Sequence, residues 1–193
     1  MKRKNSLAHV LDIPTLFYPK EIGKSLVEVE IDIIETSKQK VLSRWYHSDN
    51  DADLFLWSDE NNNIIKQQVI FCGQVAEWNI IDGLKTGFML ENEEDLNYAN
   101  RNDEDIIEIT KANNKKVKYD NTPHKVALHQ ASQIVSSIED MTDHIRKQLK
   151  GNFEFGKRLI DMSNQEIVSQ FGEHLNKNKS WQRELIKKIK SWF

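Results

Sequence analysis

Val27-Glu28-Val29-Glu30-Ile31-Asp32-Ile33 alternates apolar and acidic residues without a fault. Successive side chains of a strand point to opposite faces, so this run makes one apolar face and one charged face. Period two continues outward from it to residue 90. Val41 to Tyr46 and Leu54 to Trp57 read as further strands, the second apolar on both faces and therefore central in a sheet. Asn61-Asn62-Asn63 is a turn, because Asn tolerates left-handed backbone and hydrogen-bonds its own chain. Ile64 to Cys72, Gln74 to Ile81 and Leu84 to Leu90 follow closely, the last two separated by Asp82-Gly83, a short hairpin signal. Connections this short join antiparallel neighbours, so the stretch predicts a meander of five or six strands.

Beyond Leu90 the pattern changes. Residues 91–105 read as an acidic connector, and Asp105 to Thr110 with Lys115 to Tyr119 as a weaker hairpin around Asn113-Asn114. Thr122-Pro123 suits a helix start. Ala127, Ala131, Ile134, Ile138, Met141 and Ile145 are then spaced 4, 3, 4, 3 and 4, which predicts one helix from Lys125 to Leu149 closed by Gly151. Ser163-Asn164-Gln165-Glu166 is a capping-box pattern opening a second helix. The final segment sets Trp181, Leu185, Ile189 and Trp192 on one helical stripe, with Phe193 beside it. The expected fold is α+β: an antiparallel β-meander domain over residues 7–120, then a C-terminal helical region over 122–193 ending in a basic amphipathic helix.

Charge divides along the same boundary. The chain of 193 residues has a formal net charge of -3, but residues 124–193 carry 12 Lys and Arg against 8 Asp and Glu. The acidic excess therefore lies in the sheet half, with eight acids between Glu91 and Glu108. No apolar run reaches the roughly 18 residues of a spanning helix. A secretory leader is not expected either, since His9 and Asp12 interrupt the apolar stretch after Lys2-Arg3-Lys4. A single cysteine, Cys72, rules out a disulfide framework. The expected compartment is the cytoplasm.

Few motifs carry chemistry. Gly23-Lys24-Ser25 has the ending of a phosphate-binding loop, but the glycine required five positions earlier is Tyr18, and a strand follows instead of a helix. Asp49, Asp51, Asp53 and Glu60 have the spacing of a calcium loop, which gathers hard oxygens on one cation. Leu54 stands where that loop needs glycine, so an acidic turn entering a strand competes with the cation site. The histidines do not have helical zinc spacing, and Cys72, between Phe71 and Gly73, reads as a small buried hydrophobe. No serine elbow or dinucleotide fingerprint appears. Trp45, Trp57 and Trp78 with Phe55, Phe71 and Phe88 read as core; Asp49 to Glu60 contains five acids and no base, which disfavours nucleic acid.

Two apolar surfaces need a cover. The stripe Ala127, Ala131, Ile134, Ile138, Met141 and Ile145 either packs within the chain or forms a homo-oligomer seam. In the final segment, Trp181, Arg183, Leu185, Lys188, Ile189, Trp192 and Phe193 combine aromatics with cations. Such a helix packs on its own chain, docks on a protein partner or lies on an anionic membrane surface.

Arg44-Trp45, then Asp53-Leu54-Phe55-Leu56-Trp57-Ser58-Asp59, then Ile64-Ile65-Lys66-Gln67-Gln68 resembles a β-module of small uncharacterised bacterial proteins. The resemblance covers residues 41–90 and implies a β-module, with no activity attached. Together these features lead to the expectation of a non-enzymatic, cytoplasmic protein-interaction or regulatory protein, an adaptor in a signalling or cell-polarity complex, with no cofactor. A small-ligand or cation-binding β domain, with calcium on Asp49, Asp51, Asp53 and Glu60, is the alternative; an enzyme of unrecognised type is the third.

Overall fold

The computed structural model of the chain describes residues 18–36, 39–59, 62–90, 107–109 and 116–171. A short helix α1 (Pro19–Ser25) leads into strands β1 (Val27–Thr36), β2 (Gln39–Ser48), β3 (Ala52–Ser58), β4 (Ile64–Phe71), β5 (Gln74–Asn79) and β6 (Gly83–Leu90). Strands β7 (Ile107–Ile109) and β8 (Lys116–Tyr119) follow, then helices α2 (Lys125–Ser136), α3 (Asp143–Phe155) and α4 (Asn164–Phe171), with a 3₁₀ turn at Leu159–Asp161. All eight strands form one antiparallel sheet in the order β1-β2-β3-β4-β5-β6-β8-β7. The fold is α+β, a meander followed by helices.

Cross-strand partners share a face, so the register sorts every side chain. Tyr46↔Leu54↔Val69↔Ala76↔Thr86 runs along one face, and Trp45↔Phe55↔Gln68↔Glu77↔Lys85 along the other. The helices lie on the first. There Gln67 Nε2 donates to the Leu149 carbonyl at 2.9 Å, Asn152 Nδ2 donates to Gln67 Oε1 at 2.9 Å, and Trp78 Nε1 donates to the Lys157 carbonyl at 3.2 Å.

One buried cluster joins this face to the helices: Tyr46, Leu54, Val69, Phe71 and Trp78 pack with Ala127, Ala131, Ile134, Ile138, Leu149, Phe153 and Ile167. The change from sheet to helix near residue 122 therefore falls inside one continuous core. At one end of it α1 packs on α2. A Cβ on Gly23 would overlap the Ile134 carbonyl oxygen, so the glycine of Gly23-Lys24-Ser25 serves close helix approach.

The single helix expected from Lys125 to Leu149 is two. Ser136 and Ser137 turn their hydroxyls back onto the carbonyls of Ser132 and Gln133, competing with continued helix, and α2 stops there. Gly151 sits inside α3, which ends instead at Gly156 in left-handed backbone. The stripe read as a candidate oligomer seam lies within the chain's own core: Ala127, Ala131, Ile134 and Ile138 are buried, and Met141 and Ile145 pack against the same cluster. Among the described residues no helix is long and apolar enough to cross a membrane.

Candidate functional site

The sheet face opposite the helices is built differently. Alternation in β3 sends Leu54 and Leu56 to the helices and Asp53, Phe55 and Trp57 to the other side. Trp45 of β2 stands directly across from Phe55. The Trp45 and Phe55 rings stack with centroids 6.0 Å apart and planes 9° apart, and Phe55 and Trp57 continue the stack at 6.2 Å and 29°. His47 flanks Trp45 at 5.8 Å, and Lys66 Nζ sits 5.1 Å from the centre of the Trp57 ring. The expectation that these aromatics are core holds for Trp78 and Phe71, and Trp57 packs against the same cluster, but it does not hold for Trp45, Phe55 and Phe88. Trp45 and Phe55 belong to neither buried cluster, and Phe88 is 55% exposed.

Rings stacked on one another turn edges outward. A base or sugar needs an open ring face to stack on, and here Lys66 lies over the Trp57 ring while His47 flanks Trp45. The row is thus a ridge suited to apolar contact.

At the β2–β3 end of the ridge, Asp53 Oδ1 accepts from Trp45 Nε1 at 2.8 Å and pairs with His47 Nδ1 at 2.8 Å. Val27 of β1 is opposite His47 and is 54% exposed; Val29, left unpaired by a bulge between Glu28 and Glu30, is 53% exposed. The turn closing this end carries Asp49 and Asp51, both exposed, with Asp51 in left-handed backbone at φ 53°.

At the other end of the row lies a buried polar network. Glu77 is fully buried on this face. Its Oε2 accepts from Gln68 Nε2 at 2.9 Å and Tyr119 Oη at 2.8 Å, with Lys66 Nζ at 3.4 Å; Asn79 Nδ2 reaches Oε1 at 3.4 Å. Val75, Val117 and Tyr119 form a small apolar cluster beside it. Lys66 and Gln68 share a face of β4, where Glu77 is opposite Gln68 and Asn79 opposite Lys66. Sequence reasoning missed the network because β8, which brings Tyr119, is distant in the chain.

Asp53 is a strand residue engaged by Trp45 and His47, Asp49 and Asp51 are in the preceding turn, and Glu60 lies outside the described residues. Among the described residues no three His, Cys, Asp or Glu side chains gather as a metal site. Cys72 is exposed, not buried, and opens the β4–β5 turn. Partial desolvation and then the Asp51 carboxylate hold its thiol above the usual range, which disfavours the reactive thiolate.

Trp181, Arg183, Leu185, Lys188, Ile189, Trp192 and Phe193 lie outside the described residues. Between α3 and α4 an open groove of about 280 Å³ is lined by Gly151, Phe155, Met162 and Glu166. Its charged groups pair with each other, Lys157 with Glu166, and Glu166 also caps α4. Set against models of protein families, curated proteins and solved structures, the chain gives no significant match.

Proposed function

We propose that this chain is a non-enzymatic protein-interaction protein whose binding surface is the sheet face opposite the helices, centred on Trp45 and Phe55. One observation carries the reading: these two large aromatics are half-buried, stacked and outside both buried clusters. Exposed Val27 and Val29 extend the apolar surface across β1. Aromatic anchors ringed by polar groups are the side chains that dominate protein interfaces. A contiguous apolar patch rimmed in this way marks an interaction surface more often than isolated exposed hydrophobes do.

The test is affinity capture from the native cell with the full chain, comparing wild type with Trp45→Thr/Phe55→Thr. Threonine keeps the strand preference of β2 and β3, so the sheet is retained. An Ile160→Ser variant, altering an apolar residue that is 70% exposed elsewhere, serves as the control. Proteins bound by wild type and by Ile160→Ser should be lost from the double variant. Equal recovery by all three chains overturns the reading.

A further inference from the structure

The acidic turn beside the ridge selects what can cover it. Asp49 and Asp51 are exposed and form no ion pair among the described residues. Asp53 engages Trp45 and His47 through one oxygen, Oδ1, and its Oδ2 receives no hydrogen bond from them. Three carboxyl groups at alternate positions therefore end the apolar ridge, with His47 paired to Asp53.

We propose that the occupant of the Trp45–Phe55 face is a cationic amphipathic segment of another protein. Its aliphatic side chains lie along the ridge and its lysines or arginines meet Asp49, Asp51 and Asp53. This inference rests on the interaction reading above and adds the chemistry of the partner. Complementary charge at a partly desolvated edge steers encounter and fixes register. The same charges oppose the other coverings of this face. A nucleic acid or an anionic lipid surface would meet like charge.

Strand addition to this end of β1 is also disfavoured. The bulge at Val29 interrupts the β1 edge beside Val27, and bulges twist such edges away, while Glu30–Thr36 remain in regular register with β2.

Two synthetic peptides test this, sharing one amphipathic leucine pattern but carrying only lysine or only glutamate on the polar face. Each is titrated into the full chain, following tryptophan fluorescence or heat. The lysine peptide should bind at least about tenfold more tightly than the glutamate peptide, and should weaken as salt rises from about 50 to about 300 mM. Asp49→Asn/Asp51→Asn should cost the lysine peptide about fivefold or more, because each removed carboxylate loses an interfacial ion pair. Asparagine tolerates the left-handed backbone at 51, so the turn persists. No binding of the lysine peptide, equal binding of the two, or binding unchanged by the asparagine pair each overturns the proposal. Equal binding of both peptides that is lost in Trp45→Thr/Phe55→Thr would leave the face standing and remove only its cationic partner.

Discussion

Residues 72 and 77 show where local sequence informs and where it misleads. Cys72 follows an apolar run ending in Phe71, so composition places it in the strand. The chain instead turns there, with φ of 48° at Cys72 and 73° at Gly73. Positive φ at both centres is the two-residue hairpin geometry whose twist matches the flanking strands. Cysteine is poorly suited to the first position, whereas asparagine is enriched there. Cys72→Asn should raise stability by about 0.5–1 kcal/mol, read as a higher urea midpoint with an unchanged slope. Glu77 is the opposite case: one charge in an apolar strand, legible as peculiar, but given meaning by Lys66, Gln68 and distant Tyr119. Removing the carboxylate takes from the largely buried Lys66 ammonium its charged neighbour and from Gln68 and Tyr119 their acceptor. Glu77→Ala should therefore cost about 3–5 kcal/mol, against about 1–2 for Tyr119→Phe, which deletes one donor. Equal losses would mean that the lysine pair is not the dominant partner.

At the scale of elements, strands were legible and helix limits less so. Alternation is clear in β3, where Leu54 and Leu56 face the helices and Asp53, Phe55 and Trp57 turn away, whereas β4 and β5 are buried nearly throughout. The helical stripe persisted across a break, since Ile138 and Met141 stay in the core although α2 ends at Ser136. An apolar repeat reports which side faces inward and does not report continuity. Helix α1 lacked a signal of its own, being seven residues long. The capping box of α4 was readable and is formed: the Ser163 backbone N–H donates to Glu166 Oε2 at 2.8 Å, and the Glu166 N–H donates to Ser163 Oγ at 3.3 Å. Lys157 first, then the backbone and hydroxyl of Ser163, lower the Glu166 pKa from 4.5 to about 2. A depressed carboxylate stabilises the fold above its unfolded pKa, and that contribution disappears as pH falls through the folded one. The gap in melting temperature between wild type and Glu166→Gln should thus be full above about pH 5 and shrink as pH falls toward about 2. A gap independent of pH would contradict the assignment.

For the whole molecule, the change in charge and pattern near residue 122 suggests two halves, and packing joins them. Trp78 and Val69 of the sheet share one cluster with Ile134 and Leu149 of the helices. Melting should accordingly give one transition, with far-ultraviolet and near-ultraviolet circular dichroism coincident; two separated transitions would restore independent domains. The candidate site was only half legible. Its residues are conspicuous in sequence, yet Trp45 and Phe55 read as core because hydrophobicity does not say which sheet face the helices will cover. That choice made the face opposite them available for recognition. Hydrogen exchange on the full chain, alone and saturated with its captured partner, tests this most directly. The account predicts slowed exchange in residues 43–57, with α3 and α4 unchanged. Protection confined to α3 and α4, with residues 43–57 unaltered, would contradict it.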